Sequence, residues 1–446
     1  MSQKRYALVG TGGRCEMFVE AICKDFKEHA VLVGLCDISP TRMNYYDRKI
    51  QEKHGLPPTP CYEAADFDKM IQEQKPDTVI VTSMDSTHHQ YIVRAMELGC
   101  DAITEKPMTI DAGKAHQIFD AIERTGRKLR VTFNYRYSPT ATLVRKLLME
   151  GTIGTPLAVD FSWVLNTSHG ADYFRRWHAE KDKSGGLLVH KATHHFDLIN
   201  WWIDSRPETV FAMGDLKFYG RKNAEARGES YSYDRYTGAE EAENDPFALV
   251  LDDTEKMGAS VKKLYLDAEA DSGYIRDKNV FGDHITIEDT MTVLAKYRSG
   301  VLLNYSLIAY TPWEGYCAAV TGNKGRIEVV ERHGSHIITG QSDEELAAAQ
   351  SEGAAHEVRV YPMFGVSYDV EIPKAEGGHG GGDPILLEDI FSPNPPADPY
   401  YRAASHLEGA ASILVGISAN ESIRTGRPIV CDELLPIPDA APDSAA

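Results

Sequence analysis

Short apolar runs alternate with amphipathic stretches along the N-terminal half of the chain. The predicted strands are residues 6–9, 30–36, 78–81, 102–104 and 129–133, and the predicted helices are residues 41–53, 88–98 and 112–125. Strands separated by helices of about ten residues or more are typical of a parallel sheet connected by right-handed crossovers. The pattern therefore predicts a doubly wound parallel α/β sheet.

The C-terminal half has a different pattern, in which apolar runs follow one another through glycine-containing turns such as 298–300 and 322–325. The predicted strands are residues 156–165, 210–213, 285–297, 300–310 and 318–330, and the predicted helices are residues 140–149 and 397–424. Consecutive strands joined by short turns favour antiparallel pairing. We therefore expect an α+β domain with a large, mainly antiparallel sheet.

These patterns divide the chain into two domains, 1–135 and 136–430, and a tail, 431–446. Two stretches interrupt the second domain and are predicted insertions, one near 218–283 and one near 333–395. The second insertion carries a glycine loop in which His379 and Asp383 could close over a ligand. Long loops on a rigid scaffold often carry specificity, but a glycine loop can also be merely flexible, and the sequence leaves both interpretations open.

Composition excludes several classes of protein. The hydrophobic fraction of 42% and the charged fraction of 25% are typical of soluble globular domains. A formal net charge of −19 argues against a nucleic-acid partner, and no apolar run approaches the roughly 18 residues that span a bilayer. Seven scattered cysteines without a CxxC pair suit reduced thiols. We expect a cytoplasmic protein without nucleic-acid, membrane or metal partners.

A glycine turn after the first strand predicts a dinucleotide site. The turn contains Gly10, Gly12, Gly13 and Arg14, and Cys15 replaces the last glycine of the GxGxxG pattern. Such a turn between a strand and a helix holds a pyrophosphate, and an acid at the end of the second strand binds the adenosine ribose. Asp37 occupies that position and repels a 2′-phosphate, so we predict NAD as the cofactor and a Rossmann domain around it.

Polar groups cluster at the carboxyl ends of three further strands, where open parallel sheets bind their ligands. The segments concerned are Asp85-Ser86-Thr87-His88, Glu105-Lys106-Pro107 and Asn134-Tyr135-Arg136-Tyr137. From these segments we predict that Ser86, His88, Glu105, Lys106 and Asn134 also contact the cofactor.

Residues 185–202 predict a core helix that carries imidazoles, beginning at about Leu188. Residues four apart share a helical face, so His190 and His194 should present their rings together, with Lys191 beside them and Asp197 steadying His194. A ligand site is one interpretation. A buried, hydrogen-bonded histidine pair beside a solvated lysine is the other.

The glycine turn, Glu105-Lys106-Pro107 and the helix from Gly185 to Asp197 together resemble the Gfo/Idh/MocA family of NAD(P)-dependent sugar oxidoreductases. The resemblance implies that Lys106 lies between nicotinamide and substrate and polarises the reacting hydroxyl, although a lysine before a turn can also be merely exposed. It also implies that the C-terminal sheet forms a homo-oligomer. His190 departs from the family, which usually has aspartate there, whereas His194 matches the family histidine.

A basic cluster precedes the imidazoles in an otherwise acidic chain. Beside a sugar site, this cluster would bind a carboxylate, sulfonate or phosphate; alternatively, it is a solvated surface. The substrate-binding residues predicted from this part of the chain and from the other segments are Tyr135, Arg175, Arg176, His178, Lys191, His195 and His379.

The predicted chemistry is hydride transfer from a carbinol carbon, at C3 of a pyranoside, to NAD⁺. The residues predicted to move protons are Lys106, His190, His194 and Tyr137. Some family members are NAD-dependent glycosidases, including enzymes acting on sulfoquinovose, and this resemblance makes redox-assisted glycoside cleavage one hypothesis. A simple sugar or inositol dehydrogenase and a sugar sensor without turnover are the alternatives.

Overall fold

The computed structural model describes residues 3–335, 355–374 and 378–438, and its strands form two sheets. The strands are β1 (Lys4–Val9), β2 (Ala30–Asp37), β3 (Cys61–Glu63), β4 (Thr78–Val81), β5 (Asp101–Thr104), β6 (Leu129–Val131), β7 (Pro156–Asn166), β8 (Pro207–Asp215), β9 (Thr290–Tyr297), β10 (Leu302–Thr311), β11 (Trp313–Gly322), β12 (Gly325–Ser335), β13 (Ala355–Pro362), β14 (Tyr368–Asp369), β15 (Ala404–Ser405) and β16 (Ile429–Val430).

The first sheet is the predicted doubly wound parallel sheet. Its order is β3, β2, β1, β4, β5, β6 and β15, and only β15 runs antiparallel to its neighbour. Val9 of β1 lies opposite Cys36 of β2 and Val81 of β4, and Val81 lies opposite Thr104 of β5. Because these strands end in register, the segments that follow them meet at one edge of the sheet, as predicted.

The second sheet has the order β14, β13, β12, β11, β7, β10, β9, β8 and β16. All of its pairings are antiparallel except that of β7 with β10. The prediction of a large, mainly antiparallel sheet is confirmed. The run predicted as one strand at 318–330 is divided, because the chain turns at Asn323 and Lys324 between β11 and β12.

Most of the helices lie between the strands, and several are single turns. The α-helices are Glu16–Glu20, Pro40–His54, Phe67–Gln74, His88–Glu97, Ala112–Thr125, Pro139–Met149, Thr167–Arg175, Lys181–Ser184, Leu187–His190, Thr193–Ile203, Arg221–Ala226, Thr254–Met257, Ala259–Val261, Glu269–Ser272, Gly378–Phe391, His406–Thr425 and Cys431–Leu434. No helix in the described ranges combines the length and the apolar character that a bilayer span requires.

The helix His406–Thr425 lies against the imidazole-bearing segment. It begins with a capping box of Ser405 and Glu408, later than the predicted start at 397. Gly416 lies so close to the single-turn helix Leu187–His190 that a Cβ atom there would be 2.2 Å from the carbonyl oxygen of Leu188. The helix therefore fixes the position of the imidazoles from behind.

The predicted glycine loop at 377–383 is instead largely helical. The helix Gly378–Phe391 packs on the turn Asn134–Tyr137, and a Cβ atom on Gly382 would lie 2.3 Å from the carbonyl oxygen of Asn134. The glycine thus allows close packing of two backbones. Residue 377, the acidic run of this insertion and the side chain of His379 lie outside the described residues, as do residues 439–446.

Candidate active site

A crevice of about 690 Å³ lies at the carboxyl edge of the parallel sheet, bounded by the glycine turn and the imidazole-bearing helices. The predicted site residues that line it are Gly10, Gly12, Gly13, Arg14, Asp37, His88, Glu105, Lys106, Arg176, His178, His190, Lys191 and His194. One crevice thus contains most of the predicted dinucleotide residues together with three of the four predicted reacting groups, Lys106, His190 and His194.

The glycine turn has the backbone geometry of a dinucleotide site. Gly10 has a φ of +94°, and a Cβ atom there would lie 2.4 Å from the backbone nitrogen of Ser83, so only glycine fits. Asp37 accepts hydrogen bonds from the backbone N–H groups of Thr11 (2.5 Å) and Ser39 (2.9 Å). These contacts hold the carboxylate at the end of β2, where ribose hydroxyls are bound in this fold. The residues therefore fit NAD.

Arg14 and Glu105 connect the glycine turn to the end of β5. Arg14 Nε donates to Glu105 Oε1 at 2.9 Å, and the Thr132 hydroxyl donates to the same oxygen at 3.0 Å. Glu105 is nearly fully buried, so its negative charge depends on Arg14 for compensation. This pair orients the turn that carries Lys106.

His88 positions the same turn from the other side. Its Nδ1 lies 2.9 Å from the carbonyl oxygen of Pro107, and its Nε2 lies 3.0 Å from that of Ser83. Both ring nitrogens are therefore occupied by backbone groups. Although His88 reaches the crevice, its contacts make it a positioning residue for Lys106.

Lys106 extends from the end of β5 toward the imidazole-bearing segment. Its Nζ lies 3.4 Å from the carbonyl oxygen of His190. Burial lowers the pKa of Lys106, and the carboxylates of Asp85 and Glu105 partly offset this effect. The amine is consequently easier to deprotonate than a surface lysine, as a proton acceptor in catalysis requires.

His190 forms a pair with Asp85, in which Asp85 Oδ2 lies 2.5 Å from Nδ1 of the ring. Burial raises the pKa of Asp85 and lowers that of His190, whereas the cations Lys106 and Arg176 favour the carboxylate. With one proton in this hydrogen bond, on Nδ1, the other ring nitrogen of His190 can accept a proton. The sequence predicted that Asp85 lies at the end of a strand, but no chemical role was predicted for it.

The expected continuous helix is broken between His190 and His194. It divides into Leu187–His190 and Thr193–Ile203, and Lys191 lies at the break. Both imidazoles still line the crevice, although they lie on two helices and not on one helical face. The centre of the Tyr135 ring lies 4.9 Å from that of His194, but Tyr135 is not among the described residues that line the crevice.

Lys191 is a buried cation on the wall of the crevice. Its Nζ lies 4.9 Å from the centre of the Trp163 ring. Burial lowers its pKa to about 8, and the Glu314 carboxylate partly offsets this shift. At neutral pH the side chain is therefore mostly charged.

Sequence reasoning missed a third set of titratable groups. His169 Nδ1 lies 2.7 Å from Glu314 Oε1, and its Nε2 lies 3.2 Å from the Tyr173 hydroxyl. Burial opposes ionisation of Glu314, but the contact with His169 outweighs it and lowers the pKa of this carboxyl. Tyr173 and His169 line the crevice, so the set can pass a proton to or from a ligand. Because Glu314 lies 145 residues after His169 in the sequence, no local pattern indicated that the two side chains are in contact.

Four predicted residues are used elsewhere in the fold. Tyr137 donates to Asp389 at 2.5 Å, and the Asn134 amide donates to Asp383 at 2.7 Å. Arg175 donates to the carbonyl oxygen of Phe247, and His195 Nδ1 lies 2.8 Å from the Tyr305 hydroxyl inside the core. None of these four side chains lines the crevice among the described residues, and Ser86 does not line it either.

Asp197 does not steady His194 as expected. Its carboxylate accepts two hydrogen bonds from the guanidinium of Arg136, at 2.6 and 2.7 Å, and both residues are buried. The helix turns Asp197 away from the crevice, and the ion pair joins the Asn134–Tyr137 turn to the helix Thr193–Ile203.

Comparison with known proteins agrees with this geometry. The description "Oxidoreductase family, NAD-binding Rossmann fold" matches residues 4–133, and "Oxidoreductase family, C-terminal alpha/beta domain" matches residues 145–431. The oxidoreductase YteT of Bacillus subtilis is 36% identical over 436 residues, which cover 97% of this chain and 98% of YteT.

Two other similarities are more distant. Glycosyl hydrolase family 109 protein 1 of Akkermansia muciniphila is 27% identical over 165 residues, 37% of this chain and 34% of that protein. The crystal structure of aldose-aldose oxidoreductase from Caulobacter crescentus has a TM-score of 0.61 and 17% identity, and the alignment covers 96% of this chain and all of that one. The chain belongs to the Gfo/Idh/MocA family of NAD-binding oxidoreductases.

Proposed function

We propose that this protein oxidises a secondary hydroxyl of a pyranose sugar, at C3, with Lys106 accepting the hydroxyl proton. The observation that carries the proposal is the position of Lys106, whose amine shares the crevice with the dinucleotide loops and has a lowered pKa. When bound, NAD supplies the hydride acceptor. Lys106 then needs only to be deprotonated and within reach of the hydroxyl.

A second candidate function extends the same oxidation to cleavage of a glycosidic bond. The new carbonyl acidifies the C2–H bond, a base removes that proton, and the substituent on C1 leaves with a proton from an acid. Water then adds across the C1–C2 double bond. The hydride that was removed from C3 would return to that carbon and a proton to its oxygen, so there is no net oxidation.

The specific observation that favours this candidate is the number of proton-transfer groups in the crevice. Simple oxidation needs one base, whereas elimination needs a second base and an acid. The Asp85–His190 pair and the Tyr173 hydroxyl, held by His169, are available for these two steps.

Cations in the crevice support a substrate with an anionic substituent. Arg176 and Lys191 both line it, in a chain whose formal net charge is −19. A carboxylate or sulfonate on the sugar would gain a charge-assisted hydrogen bond from Lys191.

One assay separates the candidates. The protein is incubated with chromogenic neutral and anionic glycosides and NAD⁺ at about a tenth of the glycoside concentration, and the released chromophore and the absorbance of NADH are recorded together. Oxidation predicts NADH that rises in step with a keto sugar. Glycoside cleavage predicts many turnovers without net NADH. Binding of sugar without either product would contradict both proposals and favour a sensor.

A further inference from the structure

Residues 262–278 of the first insertion, the clamp segment, pack on the loop that follows β2. Leu264 is buried in the N-terminal core, and its carbonyl oxygen accepts a hydrogen bond from Arg42 Nε at 3.0 Å. Asp271 accepts from the Ser39 hydroxyl at 2.6 Å. The insertion is therefore anchored on the same loop that places Asp37.

The clamp segment also reaches the glycine turn. The backbone N–H of Gly13 donates to the hydroxyl oxygen of Tyr265 at 3.2 Å, and Tyr265 lines the crevice. A Cβ atom at Gly13 would lie 2.9 Å from that oxygen. In this fold the N–H groups of the glycine turn face the pyrophosphate, so the hydroxyl lies where it can contact the same phosphate oxygens.

Positive charge accumulates beside this tyrosine. Arg276 and Arg176 both donate to Asp172, at 2.6 and 3.0 Å, so two cations share one carboxylate. The Nε–H group of each arginine is buried and has no hydrogen-bond partner in the part of the chain that the structure describes. The Arg276 guanidinium lies 5.4 Å from the ring centre of Tyr265. Buried, unpaired donors on excess positive charge suit an anionic ligand.

We propose that the clamp segment is part of the dinucleotide site. Tyr265 donates its hydroxyl hydrogen to the pyrophosphate of NAD, and Arg176, which also lines the crevice, supplies positive charge beside it. Arg276 adds to this charge from behind, since its guanidinium contacts Tyr265 and Asp172 and does not line the crevice. Because the segment is anchored on the loop after β2 and covers the crevice, it must separate from the glycine turn before NAD can leave. The bound cofactor therefore exchanges slowly, which suits a reaction without net oxidation.

The test measures release of the cofactor without any sugar. The full-length protein is loaded with NADH and mixed with a large excess of NAD⁺, and the loss of bound-NADH fluorescence gives the dissociation rate constant. Tyr265→Phe should accelerate release about tenfold or more, because it removes a hydrogen bond to a charged group. Arg276→Gln should accelerate it about threefold or more, because it removes a positive charge beside the pyrophosphate without removing a direct contact. Arg276→Lys, which keeps the charge, should be intermediate.

Matched controls lie in the same insertion but outside the clamp segment. Tyr231→Phe and Arg221→Gln should leave the release rate within about twofold of wild type, and thermal unfolding of each variant without cofactor checks that it folds. Unchanged release in Tyr265→Phe and Arg276→Gln would overturn the proposal. Slower release from Tyr265→Phe would overturn it too, since the hydroxyl would then compete with the cofactor for Gly13. Because no sugar is present, these outcomes are independent of the proposed sugar chemistry.

Discussion

Replacement of Lys106 by alanine tests the proposed reaction most directly. The substitution removes an amine that lies 3.4 Å from the carbonyl oxygen of His190 and leaves the contacts of Arg14, Glu105 and Asp37 unaltered. A positioned general base contributes roughly 10²- to 10⁴-fold to the rate, or about 3 to 5 kcal/mol. We expect kcat to fall by that factor while the affinity for NADH changes by less than about twofold.

The pH profile makes the prediction specific. Lys106 accepts a proton only when it is deprotonated, so kcat/KM of the wild type should rise with pH through the lowered pKa of this amine. Lys106→Arg should stay inactive across the whole range, because a guanidinium remains protonated. Small primary amines added to Lys106→Ala should restore part of the rate.

Sugar oxidation at 340 nm and NADH fluorescence titration provide the two measurements. Lys114→Ala is the control, since Lys114 is a half-buried lysine that pairs with Asp111 and is not among the described residues that line the crevice. If Lys106→Ala keeps more than about a tenth of the wild-type kcat, or if Lys106→Arg is fully active, then this residue is not the base and the mechanism is wrong.

Three further predictions concern charge and packing. Asp85→Asn removes a carboxylate that raises the pKa of Lys106. The rising limb of kcat/KM against pH should therefore move to lower pH by about one unit or more. If the limb does not move, Asp85 does not influence the ionisation of Lys106. Lys191 has a pKa of about 8 and loses its positive charge as the pH rises through this value. The preference for anionic over neutral glycosides should therefore weaken above pH 8, and it should be lost in Lys191→Met. The ratio of the KM values for the two kinds of glycoside measures this preference. Gly416→Ala forces a Cβ atom to within 2.2 Å of a carbonyl oxygen and should lower the free energy of unfolding by about 2 kcal/mol or more. The control Gly113→Ala, at an exposed position in the first turn of a helix, should leave this free energy unchanged or raise it by up to about 1 kcal/mol. Urea unfolding measures both variants.

The sequence alone determined much of the cofactor half of the site, because those residues depend on local signals, although Ser86 and Asn134 do not line the crevice as predicted. A tight turn at Gly10, an acid at the end of β2 and a lysine after β5 each follow a strand, and parallel strands bring their carboxyl ends to one edge. Hydrophobic residues that recur with a period of two or of about 3.6 also predicted most strands and helices to within a few positions. Therefore Gly10, Asp37 and Lys106 could all be placed without coordinates.

Only the tertiary structure decided which polar side chains line the crevice. Tyr137, Arg175 and His195 carry suitable chemistry, but helix packing directs them to partners in the core and away from the crevice. Glu314 and Tyr265 could not be predicted from the sequence. They contact His169 and Gly13, which lie far from them along the chain, so no local pattern indicates these contacts. Periodicity reports burial, and burial does not distinguish a side chain that packs in the core from one that lines a ligand crevice.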